Sequence, residues 1–483
     1  MKTIMIDKTR EIALKILYKI DNEKAYSNIV LNEMIKQNKK ELEDRDVGLI
    51  SEIVYGTTTW KLTLDEIIKK YSKIKLKKIS PWILNILRMG IYQIVFLNKI
   101  PKSAAVNESV NLAKRYGHKA SSSFVNAILR KVTVKDYEEF FQLKDDIQRI
   151  SVTNSMPIWI VEELAKELSM EKVEQIAKNS NLRPDLSIRI NNLQIADEGE
   201  IYKQKDQKEI SGQKLKAKIS KSDLIRRLEE KNIKVEQGLL KDFLILKNAK
   251  NIENMEEFRQ GLFTIQDETA GLIPIILNPN KTDVILDACS SPGGKTTYLA
   301  EMMENQGKIE AWDIHEHRTK LVENTAKRLG ITNIKTKVND ATIYDEKYKE
   351  KFDKILLDVP CLGLGVLRRK PDIKWQKSKE DIEEITKTQK QILENCSQYL
   401  KNGGELVYST CSILKQENDN IINEFLNEHK EFYTEKINIK KNNKIQNKDF
   451  FEKYITNDNY LQVYQNNETD GFFICKMKKN NKR

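Results

Sequence analysis

The stretch V-I-L-D-A-C-S-S-P-G-G-K-T-T, residues 284–297, decides the fold of the C-terminal half of this chain. The apolar residues before Asp287 predict a buried strand, Pro292 and the two glycines after it predict a turn, and Lys295 opens a predicted helix. Because glycine lacks a side chain, such a turn lets a ligand approach the backbone closely. A strand, a glycine-rich turn and a helix in this order are typical of a nucleotide site in an open α/β sheet.

The alternation of strand and helix continues along the chain. Strands are predicted at residues 283–289, 308–313, 334–338, 354–358 and 405–409. The helical segments between most of them predict a parallel sheet with right-handed crossovers. Residues 460–465 and 471–477 predict an antiparallel end, and the Asn/Lys-rich segment 436–459 is predicted to be a surface excursion. Residues 266–483 are therefore expected to form an α/β, Rossmann-like domain with a mostly parallel sheet.

The first half of the chain divides into two parts of different character. Residues 1–145 carry apolar side chains at helical spacing with few Gly and Pro, which predicts an all-α bundle. Residues 150–265 mix helical stretches with a strand near 186–190, which predicts a small α+β module. Within that module the lysine-rich stretch near 198–218 is a predicted loop to which the sequence assigns no role. The chain is thus expected to be a multidomain protein.

Two acids follow the next strands of the predicted sheet. Asp313 stands about 20 residues after Gly293, the offset at which an acid reaches a ribose hydroxyl. Asp340 ends the third strand, where it can hydrogen-bond an adenine edge, although both acids could also simply begin loops. The turn lacks G-x-G-x-x-G, and Cys289 stands where a P-loop has its first glycine. S-adenosylmethionine fits this pattern best, because it needs an adenosine pocket but no phosphate cradle.

Two cysteines and a carboxylate follow the fourth and fifth predicted strands. Asp358 and Cys361 lie at the end of the fourth, and Cys411 follows the fifth. Cytosine C5 is too weak a nucleophile to take a methyl group directly, so a thiolate must first add to C6 while a carboxyl group near N3 stabilises the developing charge. A second thiol can assist when the C5 proton and the first thiol leave. The residues alone leave open which thiol attacks.

The remaining cysteines suit a structural role. A buried cysteine behaves as a small apolar residue, which is the expected role of Cys396 in a helix, Cys475 in a terminal strand and Cys289 beneath the turn. The five cysteines form no C-x-x-C pair, and there are only four histidines. The sequence therefore predicts neither a disulfide framework nor a metal site.

The net charge and the hydropathy of the sequence limit the kinds of partner that we expect the protein to bind. The net charge of +12 favours a polyanion, although lysine is abundant along the whole chain. No apolar run approaches the ~20 residues needed to cross a bilayer, and the first residues do not resemble a signal peptide. We expect a cytoplasmic protein with no membrane partner.

Several motifs together resemble those of the RsmB (Sun/Fmu) family, which are methyltransferases of 16S ribosomal RNA. They are D-A-C-S-S-P-G-G-K-T-T (287–297), D-I-H-E-H-R (313–318), D-V-P-C-L-G-L-G-V-L-R-R-K-P-D-I-K-W (358–375), Y-S-T-C-S (408–412), F-T-I-Q-D-E-T-A-G (263–271) and T-D-G-F-F (469–473). The helical segment 1–145 resembles the family's NusB-like RNA-binding domain. The resemblance covers nearly the whole chain.

The resemblance implies roles for individual residues. It makes Cys411 the nucleophile, Cys361 the thiol that assists release and Asp358 their catalytic partner. It places S-adenosylmethionine against these residues: Cys289, Ser290, Ser291, Pro292, Gly293, Gly294, Lys295, Asp313, Asp340 and Asp358. The partner it implies is 16S ribosomal RNA, naked or in a partly assembled small subunit, bound by a monomer. We expect Lys295 to touch the target base, and the basic run Arg368, Arg369 and Lys370 to contact phosphates or to be a solvated turn.

Two other classes of function stay open at this point. A dinucleotide oxidoreductase would use the same sheet, but the glycine motif is absent and two thiols have no role in hydride transfer. A non-catalytic RNA-binding factor could retain a decayed methyltransferase fold. Intact Cys361, Cys411, Asp313 and Asp358 argue against decay.

Overall fold

The computed structural model describes residues 7–196 and 219–481. The chain forms two compact units, and neither is continuous in sequence. The helical unit comprises Met1–Arg183 and Val366–Lys379, and the sheet unit comprises Pro184–Gly365 and Glu380–Arg483. The predicted loop near 198–218 lies outside the described residues.

The helical unit is a bundle, as its apolar spacing predicts. Ile12, Ile16 and Ile20 fall on one face of the first helix and are buried in the common core. Leu87 and Ile91 do the same in the fifth helix, which is apolar on most sides. The α-helices are Lys8–Asn22, Ser27–Gln37, Asp44–Thr59, Lys61–Tyr71, Pro81–Phe96, Lys102–Tyr116, Lys119–Leu129, Lys135–Glu138, Asp146–Thr153, Ile158–Ala165, Met170–Asn179 and Ile373–Gln376, with 3-10 turns at Leu76–Lys78 and Glu139–Gln142.

The segment Val366–Lys379 is anchored in the helical unit by buried polar contacts. The indole Nε1 of Trp375 donates to the carbonyl of Thr58 at 2.7 Å. The Lys374 amino group donates to Asn181 Oδ1 at 2.6 Å, and the Ser27 hydroxyl donates to Asp372. Asp372 and Lys374 are each 1% exposed. A stretch that follows a strand of the sheet unit in sequence therefore belongs structurally to the bundle.

The break between the units falls elsewhere than the predicted domain boundaries. Helices Ile158–Ala165 and Met170–Asn179, which the sequence suggested for the α+β module, lie in the helical unit. The first part of that unit ends at Arg183 and not near residue 145. The division into 1–145, 150–265 and 266–483 stays a prediction.

The sheet unit contains the strands of the described chain. In chain order they are β1 Leu186–Ile190, β2 Ile195–Ala196, β3 Ile219–Ser220, β4 Lys234–Gln237, β5 Phe243–Lys247, β6 Phe263–Ile265, β7 Val284–Asp287, β8 Lys308–Asp313, β9 Ile334–Val338, β10 Phe352–Asp358, β11 Leu400–Thr410, β12 Phe432–Thr434, β13 Leu461–Val463 and β14 Phe472–Lys479. Its α-helices are Lys221–Glu229, Glu256–Arg259, Glu268–Leu277, Gly294–Met302, Glu316–Leu329, Asp381–Gln398, Asp419–Glu428 and Lys448–Glu452. Short 3-10 turns lie at Ile252–Asn254, Glu346–Tyr348 and Lys415–Glu417.

The large sheet has the predicted parallel core. Its strand order is β12-β14-β11-β10-β7-β8-β9, with β13 paired to β14. Strands β11, β10, β7, β8 and β9 are mutually parallel, and β14 is antiparallel to β11. This confirms the predicted Rossmann-like sheet with an antiparallel end. The carboxyl ends of the parallel strands consequently meet at one edge, where such sheets bind ligands.

The Asn/Lys-rich segment 436–459 is not the predicted surface excursion. Ile437, Ile439 and Ile445 are between 1% and 4% exposed and join the core on one face of the large sheet. Phe451 in the helix Lys448–Glu452 is fully buried with them. The prediction was wrong because the many Lys and Asn residues mask a few apolar side chains that point inward from an irregular backbone.

The second sheet of this unit is small and antiparallel, in the order β4-β5-β1-β6. A short parallel pair, β2 and β3, lies off that path. Within residues 7–196 and 219–481, every helix is too short or too polar to span a bilayer.

Candidate active site

The glycine turn after β7 has the geometry that its sequence predicts. Gly293 has φ +105°, which side chains other than glycine rarely adopt, and the following helix begins at Gly294. A Cβ on Gly293 would come within 3.2 Å of the Val322 backbone. The turn is fixed to the neighbouring strand because the backbone N–H and the hydroxyl of Ser290 both donate to the Trp312 carbonyl, at 2.8 and 2.9 Å.

Asp287, at the end of β7, holds an unsatisfied acceptor beside this turn. Thr296 donates to its Oδ2 at 2.6 Å, whereas its buried Oδ1 has no hydrogen-bond donor among the described residues. Burial raises the pKa of Asp287 to about 7. A buried acceptor of this kind next to a glycine cradle suits a ligand that brings its own donors, as the amino-acid end of S-adenosylmethionine does. Asp287 and the glycine turn therefore fit S-adenosylmethionine.

Two further acids lie at the ends of neighbouring strands. Asp313 ends β8 and accepts a hydrogen bond from the His315 N–H at 3.1 Å. Asp340 follows β9 and accepts from both the N–H and the hydroxyl of Thr342, at 2.9 and 2.6 Å. The N–H of Asn339 donates to the Asp313 carbonyl at 3.0 Å, which ties the two strand ends together. The glycine turn, Asp313 and Asp340 thus succeed one another along the edge formed by β7, β8 and β9.

Lys295 and Asp358 form an ion pair at the same edge. The Lys295 ammonium group donates to Asp358 Oδ2 at 2.6 Å, and the Ser409 hydroxyl donates to the other carboxylate oxygen at 3.1 Å. Burial alone would lower the pKa of Lys295, but the Asp358 carboxylate outweighs burial and the net pKa is raised. Lys295 is therefore a cation at neutral pH. The negative charge of a Cys411 thiolate acts on it in the same direction.

The two cysteines that follow β10 and β11 lie side by side. The Sγ atoms of Cys361 and Cys411 are 3.1 Å apart, and both side chains are partly exposed. The hydrogen bond to Cys411 raises the pKa of Cys361 well above its usual value, and burial and nearby negative charge add to this effect. Cys361 therefore holds its proton more tightly than a free thiol does.

The other cysteines are not part of this pair. Cys396 and Cys475 are fully buried, and burial raises the pKa of each. Cys289 packs against the core beneath the glycine turn, and burial raises its pKa as well.

Two glycines allow the cysteine loops to approach closely. The Gly365 N–H donates to the Cys411 carbonyl at 2.8 Å, and the Gly471 N–H donates to the Gly365 carbonyl at 2.8 Å. A Cβ on Gly365 would lie 2.2 Å from the Gly471 oxygen and 2.7 Å from the Cys411 oxygen. The L-G-L-G and T-D-G motifs therefore act together, although they lie far apart in sequence.

The basic run and the other predicted site residues belong to different units. Arg368, Arg369 and Lys370 belong to the helical unit, whereas the remaining predicted residues all belong to the sheet unit. Arg368 is buried, Arg369 is half-buried and Lys370 is exposed. Of the three, Lys370 offers the most accessible charge.

Two residues near the thiols, Glu417 and Gln389, belong to none of the motifs described above and were not predicted from the sequence. Glu417 and Gln389 are fully buried and contact the loops that hold Cys361 and Cys411. Their neighbours in sequence, K-Q-E-N-D (415–419) and K-T-Q-K-Q (387–391), are all polar and give no signal that either residue is buried.

A parallel sheet with a glycine turn after its central strand, acids after the next two strands and reactive groups after the other two defines a Rossmann-like methyltransferase fold. Comparison with known proteins specifies the family. Residues 274–478 match the family described as 16S rRNA methyltransferase RsmB/F, and residues 7–134 match the NusB family. The chain belongs to the RsmB/F family of ribosomal RNA methyltransferases, which confirms the resemblance seen in its motifs and the NusB-like bundle.

Full-length relatives support this assignment. The chain is 35% identical over 472 residues to the probable ribosomal RNA small subunit methyltransferase B of Bacillus subtilis (strain 168), covering 97% of this chain and 98% of the relative. It is 31% identical to the corresponding probable enzyme of Synechocystis sp. (strain ATCC 27184 / PCC 6803 / Kazusa), covering 97% and 99% of the two chains. This family membership overturns the alternative of a dinucleotide oxidoreductase.

Solved structures agree with the fold. The crystal structure of PH0851 is 24% identical with a TM-score of 0.76, and the match covers 98% of this chain and 100% of that one. A methyltransferase homolog protein from Pyrococcus horikoshii is 26% identical with a TM-score of 0.55, covering 70% of this chain and 100% of that one.

Proposed function

We propose that this protein transfers a methyl group from S-adenosylmethionine to C5 of a specific cytosine in 16S ribosomal RNA, through a covalent bond between Cys411 and C6. The observation that carries the proposal is the 3.1 Å separation of the Cys361 and Cys411 sulfurs beside the Lys295–Asp358 pair. Two thiols at this separation have little purpose in a reaction that lacks a covalent intermediate.

The cofactor site proposed is the edge formed by β7, β8 and β9. The turn Cys289–Lys295 would lie against the methionine part, Asp313 against the ribose hydroxyls and Asp340 against the adenine. When bound, S-adenosylmethionine supplies an electrophilic methyl group. The unsatisfied Asp287 Oδ1 and the open backbone of Gly293 support this placement.

In the first step, the Cys411 thiolate forms a bond to C6 of the cytosine, which makes C5 nucleophilic. Asp358 lies near N3, and a proton passed from the Lys295 ammonium group through its carboxyl group, across their 2.6 Å contact, neutralises the negative charge that develops there.

In the last step, Cys361 removes the C5 proton. Once Cys411 is bonded to carbon, it no longer accepts the hydrogen bond or carries the charge that raises the pKa of Cys361. Cys361 can then lose its proton to solvent and accept the proton of C5. The C5–H electrons re-form the C5–C6 double bond, and the bond from C6 to Cys411 breaks to return the thiolate.

The substrate proposed is 16S ribosomal RNA, naked or within a partly assembled small subunit. The target base must leave its stack before C6 can be reached. The NusB-like bundle, the net charge of +12 and the exposed Lys370 support RNA binding. We place the activity in the cytoplasm, where ribosomal subunits are made, and propose that a monomer carries it.

The test is transfer of a labelled methyl group to unmodified small-subunit RNA, followed by bisulfite sequencing to locate 5-methylcytosine. We expect label at one cytosine with the wild-type protein. A protein that binds the RNA and the cofactor but transfers no label would instead be a non-catalytic RNA-binding factor. Label on another atom of the RNA would contradict the cytosine-C5 chemistry.

A further inference from the structure

Glu417 is a fully buried carboxylate that contacts both of the loops that carry the two thiols. It ends the 3-10 turn Lys415–Glu417, which follows Cys411 in the chain. The hydroxyl of Tyr408 donates to its backbone carbonyl at 2.8 Å, which fixes the turn to strand β11. The carboxylate is therefore held in one position relative to the site.

The two oxygens of Glu417 accept from the two cysteine loops. The backbone N–H of Leu362, the residue after Cys361, donates to Oε2 at 2.9 Å. The hydroxyl of Ser412, the residue after Cys411, donates to Oε1. One side chain thus bridges the residues that directly follow both thiols.

Gln389 strengthens the same bridge from a different element. It lies on the helix Asp381–Gln398 and is fully buried. Its Nε2 donates to Glu417 Oε2 at 3.0 Å and to the carbonyl of Pro360, the residue before Cys361, at 3.0 Å. Cys361 is therefore held from both of its chain neighbours.

Asn418 fixes the other loop. The Thr410 hydroxyl donates to Asn418 Oδ1 at 2.6 Å, and Asn418 Nδ2 donates to the Ser412 carbonyl at 3.1 Å. These contacts hold the chain on both sides of Cys411. The pair Glu417 and Asn418 therefore fixes both loops from one short turn.

We propose that Glu417 is a positioning residue that sets the spacing of the Cys361 and Cys411 thiols and directs its negative charge at Cys361. The proposal rests on the function proposed above. Without the bridge, two loops that carry the reacting sulfurs would each find their own position. A displacement of about 1 Å in a reacting group costs on the order of 100-fold in rate.

The charge has a consequence of its own. The Glu417 carboxylate is one of the causes that raise the pKa of Cys361, after the hydrogen bond to Cys411, burial and the charge of Cys411. A carboxylate near Cys361 disfavours a second thiolate beside the first. The geometry thus explains how two adjacent thiols can take different roles.

The test compares Glu417→Ala and Glu417→Gln with the wild-type full-length protein. Glutamine keeps an oxygen that can accept from Leu362 and Gln389, and its amide can donate to the Ser412 oxygen, so it removes mainly the charge. Glu268→Gln is the matched control, because Glu268 is a buried carboxylate of the same unit that accepts the Leu240 N–H at 3.1 Å and lies outside the hydrogen bonds described above for the cysteine loops.

The first measurement needs neither RNA nor cofactor. Iodoacetamide labels each thiol at a rate that follows its thiolate fraction, and mass spectrometry reads Cys361 in the tryptic peptide 355–368 and Cys411 in the peptide 402–415. In the wild type, we expect Cys411 to react at least about 10-fold faster than Cys361 near neutral pH. Glu417→Ala should bring the two rates together, and Glu417→Gln should move the labelling of Cys361 to lower pH.

The second measurement is steady-state methylation. Glu417→Ala should lower kcat by about 100-fold with little change in the KM for RNA, and Glu268→Gln should leave both near wild type. If Glu417→Ala folds and keeps the wild-type labelling rates of both thiols and the wild-type kcat, the proposal is overturned. If that variant does not fold, Glu417→Gln provides the test. A pH profile of Cys361 labelling that does not differ from the wild type then overturns the proposal. A wild-type protein that labels as expected but transfers no methyl group contradicts only the proposed function.

Discussion

The two central thiols differ through their surroundings and not through their sequence type. The neighbouring Cys411 and the negative charge of Glu417 raise the pKa of Cys361, so Cys361 keeps its proton. Cys411, in contrast, lies near the Lys295 cation. Sequence chemistry left the choice of nucleophile open, since either thiol could attack. The family resemblance implies that Cys411 attacks, and this role stays a prediction.

This asymmetry predicts opposite results for the two cysteine variants. Cys411→Ser should abolish methylation because no thiolate can add to C6. Cys361→Ala should still add Cys411 to the base but release it slowly, so that an RNA–protein adduct accumulates on denaturing gels. Cys396→Ala, which changes a fully buried cysteine outside the pair, is the control. If the adduct accumulated with Cys411→Ser and not with Cys361→Ala, the roles of the two cysteines would be reversed.

Lys374 is a buried lysine in the helical unit. Burial lowers its pKa to about 7, well below the value of about 10.4 in an unfolded chain. Between these values the unfolded state binds the extra proton, so the stability of the folded state must rise as the pH rises from 7 toward 10.

The variant Lys374→Met isolates this effect. The wild type should gain stability relative to the variant as the pH rises from 7 to 10, by up to about 1.4 kcal/mol per pH unit. Thermal or urea unfolding at several pH values gives this difference directly. Exposed Lys370→Met is the control, and its difference from the wild type should not change with pH. A constant difference for Lys374→Met would mean that the lysine is charged when folded.

At the scale of elements, the helix that follows the glycine turn is held by Arg189 of strand β1. Its guanidinium donates to the Gly294 carbonyl at 2.6 Å and to Glu301 Oε1 at 2.6 Å, and the Arg189 and Glu301 side chains are both fully buried. Both ends of the helix Gly294–Met302 are thereby fixed to the small antiparallel sheet.

Removing one partner of this pair should destabilise the sheet unit strongly. Arg189→Ala leaves Glu301 as a buried charge without its main partner, which costs about 3–5 kcal/mol. Chemical denaturation followed by the fluorescence of Trp312, which lies in the same unit, measures the loss. The control Arg226→Ala breaks an exposed pair with Glu230 and should cost no more than about 1 kcal/mol. Equal effects of the two variants would contradict a role for the buried pair.

The elements show what sequence can and cannot predict. Strands β8 and β9 match their predicted bounds, because residues that favour strands, such as Ile309 and Trp312 in β8 and Ile334 and Val338 in β9, stand between a helix and a loop. The segment 436–459 misled the prediction because its buried side chains follow no period. Glu417 and Gln389 were missed because their contacts join residues that are distant in sequence, and no spacing encodes them.

At the scale of the whole molecule, the chain leaves the sheet unit after Gly365 and returns at Glu380. Sequence analysis kept the intervening residues with the catalytic strands, since the P-C loop and the basic run are continuous. Trp375 and Lys374 contain no local signal for partners in the bundle, because those partners lie hundreds of residues earlier. The unit to which this segment belongs could not be predicted.

This topology predicts the behaviour of fragments. A fragment that begins at Pro184 would expose Leu367, Ile373 and Trp375, whose partners lie in the helical unit, and should aggregate. Co-expression of residues 1–183 should return it to solution. Gel filtration of the fragment with and without its complement is the measurement. A monodisperse fragment on its own would show that the segment does not need the bundle.

The inserted segment also constrains how the gene can be recombined. A chimera that takes residues 1–183 from a relative would place a foreign bundle around a native 366–379 segment, and the hydrogen bonds of Asp372, Lys374 and Trp375 would meet unmatched partners. Exchange of both stretches together should preserve them. The unit that must be exchanged as a whole is therefore discontinuous in sequence. Crossover points chosen from the linear sequence alone would separate its two stretches.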